Sequence, residues 1–157
     1  MSILTHLVAD AIFEDLRGSW SLNRTIKGFG AMRGSAQIQR LSSQIFEYRE
    51  EGTLKLKTGE ELAAFRTMFY CKENDDIVVR FRPTIADEDI LHRLHVVKNS
   101  NSLWPSHARD AHYCGRDIYR GHYSFEEPGR VRILIAVTGP KKNSLIETLL
   151  LKTGACA

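Results

Sequence analysis

A chain of 157 residues, 43% hydrophobic and 26% charged, has the size and composition of one folded domain with a real core, which excludes wholesale disorder and a fibrous repeat. Its 22 basic and 19 acidic residues leave a formal charge of +3, and the basic residues are dispersed instead of massed in a stripe, which speaks against a nucleic-acid surface. Cys71, Cys114 and Cys156 are unevenly spaced with no C-x-x-C pair, so neither a disulfide framework nor a zinc finger is indicated, and a reducing compartment is the simpler assumption.

The first ten residues lack a basic n-region, and Asp10, Glu14 and Asp15 break the apolar run that follows, unlike a secretory signal. No stretch approaches the roughly 18 apolar residues of a membrane span. A cytoplasmic protein is expected. Residues 5–17 read as a helix, with Thr5 as its cap, Leu7, Val8, Ile12, Phe13 and Leu16 as its apolar stripe, and Gly18 as its stop. From Gly18 the period becomes two. Trp20, Leu22, Arg24 and Ile26 alternate against polar neighbours, a half-buried strand with one charge on its apolar side.

Gly28, Gly30 and Gly34 suggest a turn or lid-like loop around Phe29 and Met32, and their spacing is not a nucleotide-binding fingerprint. Residues 36–40 and 45–50 then read as hairpin arms, with a turn at Glu51-Gly52 before Leu54 and Leu56. Residues 61–72 open with helix formers and become β-rich from Phe65. Asn74-Asp75-Asp76 is a turn, residues 77–81 a strand, 83–89 an acidic loop and 90–98 a further strand. Residues 98–109 form the longest irregular stretch, with Trp104 pinning it or serving as a contact surface. Strand patterns return at 112–125, 129–139 and 144–152, with a turn at Pro140-Lys141-Lys142-Asn143. The total, about nine or ten strands with short turns, predicts a mainly β fold, an antiparallel barrel with an N-terminal helix.

Candidate chemistry follows from parity, because successive side chains of a strand face opposite ways. Arg24 shares a face with Trp20 and Leu22, Tyr48 with Phe46 and Glu50, and Asp117 with Tyr119, Gly121, Tyr123 and Phe125. A charge facing a closed core is costly unless paired, and Glu50 or Asp117 could pair with Arg24. Such a pair serves equally as a register-fixing ion pair or as part of a ligand site. His112 and Cys114 fall on one side of a strand. With Asp117 or His95 they could be considered for a metal, and by themselves for a thiol nucleophile and its base, but the spacing matches no strong zinc motif. His92 and His95 have opposite parity, so at most one faces the interior. His112 or His95 could in principle be an axial haem ligand, a reading that a lone histidine supports weakly. Lys141-Lys142 at a turn could meet an anionic group at a barrel mouth.

Gly18-x-Trp20 with Arg24, Tyr48-x-Glu50-x-Gly52, His112-x-Cys114-x-x-Asp117-x-Tyr119 and Gly139-Pro140-x-Lys142 resemble the signature of a family of unknown function described as calycin-like, that is, lipocalin-like barrels. The likeness runs from about Gly18 to Lys152. It implies an antiparallel barrel with a helix near one end, and no activity. Members of that family carry an aromatic in the strand after Tyr123, where this chain has Val131, Ile133 and Ile135.

Three functions are therefore expected in order. The first is binding of a small amphipathic or anionic-headed ligand in the barrel. Its wall would be Trp20, Arg24, Tyr48, Tyr119 and Tyr123, its anchors Arg24 and His112, with Asp117 orienting one of them and Glu50, His95 and Lys142 as further contacts. The second is an isomerase or hydrolase using His112 or Asp117 as general acid/base. The third is an interaction module whose barrel is filled by its own side chains. The sequence assigns no cofactor and no oligomeric state.

Overall fold

The computed structural model describes the backbone of residues 3–98 and 106–154 and the side chains of residues 7–97 and 110–154. The expectations for Trp104 and Cys156 lie outside them, and Thr5, expected as the helix cap, falls within the helix backbone. Helix α1 spans Ile3–Asp15, about two residues earlier at each end than the sequence pattern suggests. Two tighter i→i+3 bonds follow it, from Leu16 N–H to the Phe13 carbonyl (3.2 Å) and from Arg17 N–H to the Glu14 carbonyl (3.3 Å). Its buried stripe is Val8, Ala9, Ile12, Phe13 and Leu16, whereas Leu7 is exposed. This face enters the barrel core: Phe13 stacks on Phe46 with ring centroids 4.0 Å apart, and Trp20 Nε1 donates to the Leu16 carbonyl at 2.9 Å. An ion pair from Lys72 Nζ to Asp10 Oδ1 (3.1 Å) ties the helix to the wall. Among the described residues no helix is long and apolar enough to cross a membrane.

Eleven strands follow: β1 (Gly18–Ile26), β2 (Gly30–Ser42), β3 (Ile45–Leu56), β4 (Glu61–Glu73), β5 (Asp76–Arg80), β6 (Ile90–His95), β7 (Val97–Lys98), β8 (Ser106–Cys114), β9 (Asp117–Glu127), β10 (Arg130–Thr138) and β11 (Asn143–Gly154). They form one antiparallel sheet in the order β6-β5-β4-β3-β2-β1-β11-β10-β9-β8-β7. Its two outer members, β6 and β7, are separated in the chain by Val96 alone, so one interrupted strand pairs with β5 through its first part and with β8 through its second. Counting that run once gives ten strands in a nearly closed barrel, in keeping with the expected fold.

The alternation of apolar residues fills the end that α1 covers, with Trp20, Leu22, Ile38, Phe46, Leu94, Phe125, Val131 and Leu150 in one core with the helix. A smaller buried group lies on the outer side of β4 and β5. There Cys71, Val78 and Arg80 sit inward of the 81–89 segment, with Arg80 donating to the Ala86 carbonyl (2.9 Å) and to Glu73 Oε2 (2.8 Å).

Residues 106–109, read as part of the irregular stretch, belong to β8, and three further local expectations are corrected. Gly30 and Gly34 belong to β2 and not to a lid-like loop; Glu51-Gly52 runs through β3 and makes no turn; residues 61–72 are strand from the start. The first two share a cause. Gly34 and Gly52 sit directly opposite each other at interior positions, between Met32 and Ala36 on one strand and between Glu50 and Leu54 on the other. A Cβ on Gly34 would fall on the Glu51 carbonyl oxygen and lie 2.7 Å from Gly52 Cα, so the glycines let two strand backbones approach at a corner of the barrel. Residues 61–72 pair with β3 along almost their whole length, and that ladder overrides the local helix preference.

Candidate functional site

Inside the barrel, away from α1, is a cavity of about 210 Å³. Its lining is mixed. Ile26, Ile133, Ile135 and Ile146 are neighbours on β1, β10 and β11; Met68, Val79 and Leu91 are further apolar members, Met68 lying between Arg66 and Tyr70 on β4; Arg24, Tyr48, Arg66, Tyr70, Tyr123 and Thr148 supply the polar groups. The polar groups reach the cavity because β1, β3 and β4 each carry ionisable residues at the parity of their core residues.

At its centre Arg24 makes a fork-to-fork pair with Glu50, Nη1 to Oε1 at 2.7 Å and Nη2 to Oε2 at 2.8 Å, and its Nε donates to Thr148 Oγ1 at 2.8 Å. Tyr48 donates its hydroxyl hydrogen to Glu50 Oε2. Both charges are withdrawn from water, the side chains being 11% and 3% exposed. Burial alone would push the Glu50 carboxyl up, but the Arg24 bonds, the Arg66 charge and the Tyr48 bond outweigh it and leave Glu50 below its ordinary value. Burial and the neighbouring Glu50 charge push Tyr48 far up, so it stays a neutral donor. Arg66 Nε stands 3.4 Å from Glu50 Oε1 with its side chain half exposed, and Tyr70 packs edge-on to Tyr48. Burial pushes the Tyr70 hydroxyl up to about 12.

A second polar node links β6 to β9 across the seam where β6 lies beside β8. His92 is fully buried, with Nε2 3.1 Å from the Tyr119 carbonyl and Nδ1 2.9 Å from the Tyr123 hydroxyl. A carbonyl can only accept, so Nε2 carries the proton and Nδ1 accepts from Tyr123. Gly121 makes room for the ring, since a Cβ there would lie 2.7 Å from His92 Cε1. Burial lowers the His92 pKa, against the opposing pull of the Tyr119 bond and the Asp110 charge and with a further push down from His112. The folded protein therefore holds this imidazole neutral at pH values where the unfolded chain begins to protonate it. That contribution to stability is complete above the ordinary imidazole pKa near 6.5 and is lost as pH falls from there through the lower folded value. Urea unfolding of the wild type should show a midpoint that declines on acidification from pH 7 to 5, and His92→Gln should flatten that decline. An equal slope in the two proteins would remove His92 as its source.

Of the residues expected to line a site, Arg24, Tyr48 and Tyr123 line this cavity and Glu50 is bonded to two of them. Trp20 lies deeper, under α1. The others are elsewhere. His95 is 71% exposed and pairs with Asp76 (2.8 Å) outside the barrel, and Cys114 is exposed at the end of β8. Asp117 pairs with Lys142 (3.2 Å), not with Arg24 or His112, and Lys142 Nζ also reaches the Tyr119 hydroxyl (3.5 Å). His112 packs against the rings of Phe81 and Tyr119 and does not line the cavity. The acid/base pair drawn from the sequence is thus not assembled around the cavity, and neither histidine considered for haem faces it. Among the described residues no three His, Cys, Asp or Glu side chains gather as a metal site.

Arg66, Tyr70, Thr148 and His92 were not foreseen. Arg66, Met68, Tyr70 and Lys72 alternate with one parity within the stretch read as β-rich from Phe65, and that parity is the signal that could have found Arg66 and Tyr70. His92 shares parity with Leu94 and Val96, both buried, which distinguishes it from His95.

The barrel is similar to two solved structures. An S-type phycobiliprotein lyase, CPES from Guillardia theta, superposes with a TM-score of 0.60 at 12% identity, over 98% of this chain and 97% of that one. The protein EF1p2_mFAP2b, solved bound to DFHBI, superposes with a TM-score of 0.50 at 11% identity, over 92% of this chain and 99% of that one. At these identities the likeness is one of fold. No curated protein matches the chain. Residues 16–152 match a family of unknown function, DUF6314.

Proposed function

We propose that this chain, which belongs to the DUF6314 family, is a calycin-like barrel that binds a small amphipathic molecule with an anionic or strongly polar head inside the barrel. The observation that carries the proposal is the cavity's lining, in which a patch of four isoleucines is combined with arginine and tyrosine side chains. Small-molecule sites have this character: mostly apolar, with a few convergent polar groups. A barrel serving only as a scaffold for its outer surface would gain more by filling that space, since an unfilled void forfeits packing. The two similar barrels, one named a phycobiliprotein lyase and one solved bound to DFHBI, lend the proposal support by architecture only.

The volume limits the guest. A cavity of about 150 Å³ holds benzene, so about 210 Å³ suits a molecule of roughly eight to ten heavy atoms. Native mass spectrometry of protein purified from its own host, before and after denaturation, tests the proposal. A bound species of about that size, lost on unfolding, is the expected result. An unadorned mass together with no rise in unfolding temperature across a library of small amphipathic acids, alcohols and amines would refute it.

A further inference from the structure

We infer that the ligand is a small monocarboxylic acid whose carboxylate is held by the terminal nitrogens of Arg66 and the hydroxyl of Tyr70, with its apolar part against Ile133, Ile135 and Ile146. This rests on the ligand-binding reading above and narrows it to one chemical class.

The polar groups around the cavity are not equally available. Arg24 spends both ends of its fork on Glu50 and its Nε on Thr148. Tyr48 has given its hydroxyl hydrogen to Glu50, and Tyr123 has given its own to His92 Nδ1. The two tyrosine hydroxyls can accept from a ligand, and all three groups have little left to donate. Tyr70 differs. It is only 6% exposed and lines the cavity, yet among the described residues nothing takes a hydrogen bond from its hydroxyl. With its hydroxyl hydrogen uncommitted, Tyr70 can donate to an acceptor that a guest brings into the cavity. Arg66 is the second such group. It is 49% exposed, approaches Glu50 through Nε at 3.4 Å, and has no hydrogen bond from its terminal nitrogens among the described residues. Those two nitrogens form the end of the guanidinium that grips a carboxylate in two-point fashion.

Charge selects the class. Arg24, Arg66 and Glu50 together leave one positive charge among the polar groups around the cavity. A monoanion brings them to neutrality. A phosphate dianion would leave an uncompensated negative charge next to the buried Glu50, and a cationic head would add to the surplus. Arg66 and Glu50 also act in opposite senses on Tyr70, which places its hydroxyl within the same field. The isoleucine patch and the volume then limit the rest of the molecule to about a benzene ring or a five- to seven-carbon chain.

Calorimetric titration of the full chain with benzoate, hexanoate, benzamide, benzylamine and phenyl phosphate tests the inference. The expected result is that one or both carboxylates bind at least ten-fold more tightly than benzamide, benzylamine and phenyl phosphate. Arg66→Gln should remove that preference, and Tyr70→Phe should weaken the carboxylate several-fold. Both variants should unfold at temperatures near the wild type, since Arg66 is half exposed and the second change deletes only a hydroxyl. Tighter binding of the amide, amine or phosphate, or an unchanged carboxylate affinity in Arg66→Gln, would overturn the monocarboxylate assignment while leaving a ligand-binding barrel in place. Failure of all five probes, with no bound species in protein from its own host, would overturn the assignment and the ligand-binding reading together.

Discussion

Glu50→Ala is expected to lower the free energy of unfolding by about 3–5 kcal/mol, which for a domain of this length is a fall in unfolding temperature on the order of 10 °C. The large effect comes less from the lost attraction than from what remains. Arg24 keeps its charge at 11% exposure with Thr148 as its one close oxygen partner, and the Tyr48 hydroxyl loses its acceptor. A buried charge pair contributes modestly as a pair, because desolvating both members offsets much of the attraction between them, but half a pair is strongly unfavourable. The double variant Arg24→Met/Glu50→Leu should therefore recover most of the loss. Urea unfolding of the three proteins measures this directly. If the double variant were as unstable as Glu50→Ala alone, the loss would reside in packing around the two side chains and not in the stranded charge. Acid provides an independent check. The folded state holds Glu50 below its ordinary pKa, so its contribution is present above the unfolded carboxyl value and disappears as pH falls through the lower folded one. Below that point the wild type and a Glu50→Gln variant should converge.

The same ion pair shows what could be taken from the sequence. Arg24 and Glu50 each break an apolar alternation at an interior parity, and two opposite charges aimed at one core imply each other, because neither could be buried alone. The barrel followed from the regular succession of strands and turns, and Tyr123 and Phe125 on one face of β9 from their spacing. Local pattern went astray where the deciding contact was distant in the chain. The helix formers at the start of β4 became strand because Glu61–Cys71 pairs residue by residue with β3. His92 was passed over for His95 although it shares parity with the apolar Leu94 and Val96, and the pairing of β6 with β5 turns that parity inward. Asp117 was assigned to the interior by parity. At the outer end of β9 that parity leads to the rim, where Lys142 meets it from the turn before β11. Parity identifies a face of a strand; depth along the barrel comes from how far each strand extends past its neighbours.

Gly34→Ala and Gly52→Ala are each expected to cost about 3 kcal/mol or more, the upper end for overpacking, because what each new methyl meets is backbone. On Gly34 it would fall on the Glu51 carbonyl oxygen, and on Gly52 it would fall on the Arg33 carbonyl oxygen and lie 2.8 Å from Gly34 Cα. No rotamer change relieves either contact, so β2 and β3 must separate. Gly28→Ala is the contrasting case. There φ is +81° and nothing lies within 4 Å of the new Cβ, so the cost is the left-handed backbone alone, about 1–2 kcal/mol. Chemical denaturation should rank the three variants in that order, and equal losses at Gly28 and Gly34 would remove the close strand approach as the cause. The two large effects should also be non-additive, since one separation of the strands accommodates both methyls, and the double variant should cost clearly less than the sum. Glu50 is two residues from Gly52 on the same face of β3, so opening this corner draws its carboxylate away from Arg24 and alters the polar groups around the cavity. Gly52→Ala should therefore weaken carboxylate binding as well as stability, whereas Gly28→Ala should weaken neither by more than its small backbone cost. The glycines that sequence pattern assigns to a loop would then be the residues that let β2 and β3 coil tightly enough to place a buried ion pair beside a cavity.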